Sequence, residues 1–484
     1  MIRPEGAAIM TTELKPDICV IGAGSAGLTV AAAAAAFGVD VVLLEKGRMG
    51  GDCLNYGCVP SKALIAAARH VHAIREAGTF GVKCDDSKVD FQRVHDHVHE
   101  VIAEIHHNDS VERFTGLGVN VIQEAGRFVD RRTVAAGDYE IRARRFVVAT
   151  GSGPLVPPIP GLDAVDYLTN ESLFDLTRLP KRLVIIGGGP IGLEMAQAFG
   201  RLGSEVTVLE AMKALGKDDP ELAGRVVDNV RAEGVVIREG AKVTKVARFG
   251  RSGARVTIET DEGEETVDGT HLLVAVGRRA NVEGLGLDEA GIAHSERGIS
   301  VDKRLRTTNR RVFAAGDITG GYQFTHWAGY HAGLVVRSIL FRFGGKVNDE
   351  LVPWATYTDP ELAHVGLSEG EARERYKDIR VLRWPYAEND RAQTERAPVG
   401  TVKVIALPKG RIVGAGIVGR NAGELIALWA LVISQKLTVK ALTETVLPYP
   451  TLSETAKRVA VAFYTPKLDS PWLKRLIRFM RLFG

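Results

Sequence analysis

Two cysteines five positions apart, Cys53 and Cys58, are the residues of this chain best suited to chemistry. They lie in Gly50-Gly51-Asp52-Cys53-Leu54-Asn55-Tyr56-Gly57-Cys58-Val59-Pro60-Ser61-Lys62. A pair this close suits either redox catalysis or metal binding. On a regular helix, Cα atoms five residues apart lie about 8.6 Å from each other, and a disulfide spans at most about 6.8 Å. A bridge therefore requires an irregular turn, and Gly57 permits one. A thiolate at a helix N-terminus has a lowered pKa and is a better nucleophile. Zinc is the competing reading, but no second CxxC or nearby Cys/His pair completes four ligands.

Two glycine fingerprints stand about 165 positions apart. Gly22, Gly24 and Gly27 follow the apolar run DICVI and open a helical stretch, and Glu45 ends the next apolar run 18 residues past Gly27. Gly187, Gly189 and Gly192 repeat the plan, with Glu210 again 18 residues on. Such glycines allow a tight turn and let backbone N–H groups at a helix N-terminus meet a pyrophosphate. The acid accepts hydrogen bonds from a ribose. A carboxylate at Glu210 would repel a 2′-phosphate, which favours NADH over NADPH. Two dinucleotide sites suggest an electron relay, from a nicotinamide that comes and goes to a flavin that stays bound.

These elements need a scaffold of the expected size. The chain has 484 residues, 45% hydrophobic and 25% charged, the profile of an ordinary globular protein of about three domains. The net charge of +3 creates no broad field for nucleic acid. Four cysteines are too few for a secreted disulfide scaffold. The N-terminal stretch lacks the apolar core of a signal peptide, so a cytoplasmic location is expected. The alanine run Ala31–Ala36 reads as a helix packed closely on a sheet. Residues 61–115 read as two long helices, and residues 120–150 as short strands.

The cysteine segment and its surroundings resemble the flavin-dependent pyridine nucleotide–disulfide oxidoreductases, which include dihydrolipoamide dehydrogenase, glutathione reductase and mercuric reductase. The likeness runs from about Asp17 to Tyr464. Besides GGDCLNYGCVPSK it includes ATGS (149–152), GLEMA with Glu194, AVGRRAN (275–281) and AAGDIT (314–319). It implies an α/β fold with two Rossmann-like domains, for FAD and NAD, plus a C-terminal α+β dimerisation domain. The implied order is a tail (1–16), FAD domain (17–160), NAD domain (161–282), FAD return (283–349), interface domain (350–465) and a basic helix (466–484). By the same resemblance Cys58 sits by the flavin and Cys53 attacks the substrate disulfide. Lys62 lies at the flavin's reactive edge and pairs with Glu194. Glu45, Thr150, Gly151 and Asp317 serve FAD, and Gly277 serves NAD. The family forms homodimers that share active-site residues.

One departure bears on the chemistry. Disulfide-reducing members carry His-Pro-x-x-x-Glu near the C-terminus, where this chain has Tyr449-Pro450-Thr451-Leu452-Ser453-Glu454. Glu454 matches the family glutamate, but Tyr449 replaces the histidine. A phenol with an ordinary pKa near 10 is badly matched to proton transfer at neutral pH. Mercuric reductase also has tyrosine here, and NDRAQTER (389–396) resembles that branch. That enzyme hands over metal through a C-terminal cysteine pair, and this chain has no cysteine after Cys84.

Residues 467–484 carry a net charge of +4, leaving −1 on the other 466. Within 471–484 Lys474, Arg478 and Arg481 follow helical spacing opposite Trp472, Leu476 and Met480, the pattern of an interfacial anchor. Seven of the twelve histidines lie between His70 and His107, most simply on a solvated helix pair. The overall expectation is an FAD-dependent, NADH-using homodimeric enzyme that passes electrons through Cys53 and Cys58 to a disulfide or other small acceptor. A quinone at a membrane surface, a metal ion and a low-turnover redox sensor are the alternatives.

Overall fold

The computed structural model describes residues 11–84 and 88–483. The first ten residues of the expected tail lie outside that range. The chain divides into two compact units. One comprises the residues up to Pro180 together with His271–Val347, and the other Lys181–Thr270 together with Asn348 onward.

The first unit is built on a five-stranded parallel sheet, in the order Val312–Ala314, Arg145–Val148, Ile18–Ile21, Val41–Leu44, Val119–Ile122. Three of the strands, ICVI, VVLL and VFA, are buried along their whole length, as both faces of a covered parallel sheet require. The register sets Ile21 beside Leu44 and Val148, and Val148 beside Ala314. The glycine turn, Glu45, Thr150 and the Gly316 turn therefore leave the sheet at one carboxyl edge. Helix α1 (Ser25–Ala36) packs against the helix Thr325–Leu340, with Ala31 and Ala34 fully buried. The alanine run is thus a close-packing surface.

Helix α2 (Gly51–Asn55) is followed by α3 (Cys58–Glu76), which packs on α4 (Phe91–His106). The expected second long helix stops at His106, and Ser110 caps a short new helix by accepting from Arg113 N. The His95 and His99 rings lie with centres 4.2 Å apart, tilted by 45° to each other. His99 Nε2 approaches the Phe174 carbonyl at 3.2 Å. Among the described residues no group of three His, Cys, Asp or Glu side chains could hold a metal.

The second unit pairs Val236–Glu239, Glu205–Glu210 and Arg182–Ile186 in parallel. It also contains a five-stranded antiparallel sheet ordered Trp354–Thr356, Glu361–Gly366, Ile412–Gly419, Thr401–Ala406, Arg380–Pro385. Residues expected to form separate NAD and interface domains share this unit, and 161–180 and 271–282 fall in the first one. Helix α5 (Pro190–Leu202) explains the grouping. The buried Glu194 carboxylate accepts from Tyr357 N at 2.8 Å, and Gln197 bonds both Asp359 N and O. Arg201 forks onto Glu233 and Asp359. Helical spacing puts these three side chains on one face.

Lys403 ties the unit together from within. Its buried ammonium lies 2.8 Å from Asp219, 3.0 Å from Glu221 and 2.9 Å from Glu369. Arg383 and Lys403 together hold the Glu221 carboxyl down at about 2. Lys403→Met would leave the carboxylates facing one another, at a cost of about 3 kcal/mol, readable as a lowered urea midpoint at neutral pH. Because Glu221's folded pKa is depressed, its contribution is complete above its ordinary value near 4.3. It is lost as pH falls toward 2. The gap between parent and variant is expected to narrow across that window.

Candidate functional site: a dithiol turn beside a glycine loop

The cysteines sit on a broken helix. Chain direction changes at Tyr56 and at Gly57, whose ψ is −110°, so α2 ends before Cys58 opens α3. This is the irregular turn that the five-residue spacing demands. Gly50 and Gly51 lie at φ +88° and +61°. A Cβ on Gly51 would come within 2.7 Å of the Gly24 Cα, so the cysteine segment rests directly on the first fingerprint. Asn55 closes the turn by donating to the Met49 and Gly51 carbonyls.

Both cysteines are free thiols. The Cys58 thiol is pulled down to about 6, chiefly by the hydrogen bond it receives from Cys53, then by Thr325 and by the Lys62 charge. Burial and Asp52 act the other way. The Cys58 sulfur lies 3.5 Å from Thr325 Oγ1, at the start of the Thr325–Leu340 helix. Lys62 is one turn along α3 from Cys58, on the same face. Cys53 is pushed far up, because its proton is shared with Cys58 and because it is partly buried. The pair is therefore asymmetric at neutral pH, with a thiolate at Cys58 and a thiol at Cys53. In the reduced protein, alkylation of Cys58 by iodoacetamide should rise with a midpoint near pH 6. Thr325→Val should move that midpoint upward. A midpoint unchanged from a free cysteine, about 8.5, would contradict the asymmetry.

At the carboxyl edge, Glu45 accepts from Ala23 N at 2.7 Å and from Gly47 N at 2.8 Å. Glu210 does the same in the second fingerprint, from Gly188 N at 2.8 Å and Met212 N at 2.9 Å. Each acid holds its glycine turn. Gly27 and Gly192 have no room for a side chain, since a Cβ would reach the Gly22 or Gly187 carbonyl oxygen at 1.9 or 2.0 Å. Gly24 meets no atom closer than 3.9 Å, and Gly189 has open space around it. Neither α1 nor α5 has a capping side chain or an acid in its first turn. Free N–H groups above an open glycine fit a pyrophosphate at both places.

Spacing alone did not reveal a polar chain that connects the cysteine turn to the Gly316 turn. Arg278 pairs with Asp52 at 3.0 Å and donates through Nε to Ser152 Oγ at 2.8 Å. Ser152 Oγ donates to Asp317 at 2.6 Å. Asn170 adds a 2.9 Å bond to Asp52 and one to the Tyr56 carbonyl. Burial raises the Asp317 carboxyl against the pull of Ser152 and Arg278. His331 supports the turn by accepting from Gly316 N, and burial holds its pKa down to about 4. Thr150 and Gly151 bond Asn281. Gly277, outside the second fingerprint in sequence, accepts from Leu155 N at 2.9 Å through its carbonyl.

Tyr449 and Glu454 stand in the second unit with separate partners. The Tyr449 hydroxyl donates to Asp390 at 2.9 Å, and Asn389 donates to the Thr451 carbonyl. The NDRAQTER and PYPTLSE segments are thereby joined. The Asp390 carboxylate raises the Tyr449 pKa further. Glu454 pairs with Arg458 at 2.7 Å, so the acid that matches the family glutamate is engaged one helical turn away.

Comparison with known proteins decides the family. Residues 16–332 match the pyridine nucleotide-disulphide oxidoreductase model, and residues 352–460 match its dimerisation domain. The chain belongs to this family. It is 36% identical over 450 residues to a mercuric reductase of Bacillus cereus, covering 92% of this chain and 71% of that one. It is 31% identical over 447 residues to the dihydrolipoyl dehydrogenase of Bacillus subtilis (strain 168), covering 90% and 96%. Among solved structures it resembles the HOCl-induced flavoprotein disulfide reductase RclA of Escherichia coli, with TM-score 0.82, 29% identity, and 92% and 99% of the two chains covered. The protein is accordingly an oxidoreductase of the kind that uses FAD and NAD(P)H, with the family's dimerisation domain. No described helix is long and apolar enough to cross a membrane.

Proposed function

We propose that this protein takes hydride from NADH onto FAD, and passes the electrons through Cys58 and Cys53 to a small acceptor. The observation that carries this reading is the asymmetric cysteine pair seated on the first glycine turn. Gly22, Gly24, Gly27, Glu45, Thr150, Gly151 and Asp317 would hold FAD, whose isoalloxazine supplies the two-electron chemistry. Cys58 has the ionisation suited to facing the flavin, and Cys53 is the thiol left to meet the acceptor. Lys62 and Glu194 keep the roles that the family resemblance gives them. Gly187, Gly189, Gly192 and Glu210 would hold NADH. The working unit is a homodimer in the cytoplasm, where a cysteine pair of this kind can cycle.

Glu210 sets the nicotinamide preference. Its carboxylate would meet the ribose while bonded to two backbone N–H groups. Glu210→Gln keeps an acceptor oxygen and removes the charge. It should lower KM for NADPH several-fold and change KM for NADH much less. Equal use of both nucleotides by the parent would contradict the assignment.

The acceptor is one that does not depend on a histidine proton shuttle. Tyr449 donates its proton to Asp390, and its raised pKa keeps it protonated at neutral pH. Lipoamide should therefore reoxidise the NADH-reduced enzyme slowly. Tyr449→His should accelerate that reaction about 10²-fold, with a pH dependence that the parent lacks. Fast lipoamide turnover by the parent would overturn this reading. A metal ion, as the names of the mercuric reductases suggest, would have to reach Cys53 and Cys58 without a C-terminal cysteine relay. The exposed amphipathic helix at Pro471–Met480 favours a second reading, in which the acceptor is a quinone met at a membrane surface.

A further inference from the structure

Helix α6 (Pro471–Met480) is specified locally rather than by packing. Ser470 caps it by accepting from Leu473 N, Pro471 takes the first helical position, and no residue of the helix is buried. At about 100° per residue, Trp472, Leu473, Leu476, Ile477, Phe479 and Met480 fall within an arc of about 160°. Lys474, Arg475, Arg478 and Arg481 occupy about 120° of the opposite side. Trp472, Ile477, Phe479 and Met480 are each more than half exposed. An apolar face of this size is seldom left uncovered.

We propose that α6 lies in the headgroup boundary of an anionic lipid surface and attaches the enzyme to it peripherally. Ten residues make about 15 Å of helix, half of what a bilayer core requires, so the helix lies along the interface and does not cross it. The apolar arc enters the acyl boundary, and the basic arc meets lipid phosphates. Charge selects this occupant over a second copy of the chain. The segment carries +4, and the other 466 residues carry −1, so a copy offers no matching anionic field. Lipid satisfies both faces of the helix, whereas a protein groove would cover the apolar face and leave four cations unused. The Lys474–Asp469 pair, at 3.6 Å and well exposed, does not neutralise the basic arc. The contact does not rest on the electron acceptor. A quinone acceptor would rest on the contact.

The test is co-sedimentation of the full-length holoenzyme with vesicles of phosphatidylcholine and phosphatidylglycerol in equal parts, and with phosphatidylcholine alone. Binding is expected to the anionic vesicles and to weaken with salt. Reversing Lys474, Arg478 and Arg481 to Glu should weaken it by about fivefold per charge removed, hence at least ~100-fold. Ile477→Asp with Met480→Asp should abolish it. Both variants should retain NADH oxidation with a soluble acceptor and should remain dimeric by light scattering. Equal sedimentation with both vesicle types, no sedimentation with either, or undiminished binding by the variants would overturn the proposal. Dissociation of the dimer by either variant would show that a second copy covers the face, and would also overturn it.

Discussion

The cysteine site depends on a backbone contact, Gly51 against Gly24. A single Cβ at Gly51 would sit 2.7 Å from the Gly24 Cα. The dithiol turn can rest on the glycine turn because Gly51 lacks a side chain. The left-handed backbone at Gly50 and Gly51 then steers α2 and α3 so that Cys58 opens a helix. The approach of Cys58 to Cys53, which chiefly lowers its pKa, its bond to Thr325 and the influence of Lys62 all follow from where that helix begins.

The strand register does comparable work on a larger scale. Because Ile21, Leu44, Val148 and Ala314 end level, four loops distant in sequence open at one edge. The carboxyl edge of a parallel sheet is where such folds bind nucleotides. The second unit reuses the local device, with Glu210 holding Gly188 as Glu45 holds Ala23. In both places one carboxylate fixes the shape of the glycine turn by accepting from two backbone N–H groups. The matching 18-residue spacings therefore have a structural meaning besides recognition.

Much of the site could be read from local pattern. Glycine triplets, the acids 18 residues on, the broken turn at Gly57 and the close packing of the alanine run depend on neighbours in sequence. The partners missed are distant ones. Thr325 is 267 residues from Cys58, and Arg278 joins Asp52 to Ser152, which in turn bonds Asp317. The join between 181–270 and the C-terminal sheet is also distant in sequence, made by polar residues of α5. Glu194 is satisfied by Tyr357 N, Gln197 by Asp359, and Arg201 by Glu233 and Asp359. Tyr449 was identified as unusual, but its partner Asp390 lies in a different motif.

Electron flow through the cysteine pair is the central claim, and an anaerobic titration with NADH measures it. The parent should consume about two equivalents per chain, one for the flavin and one for the disulfide. Cys53→Ser should consume about one, with the flavin still reduced. Uptake of a single equivalent by the parent, or equal uptake by parent and variant, would contradict the account.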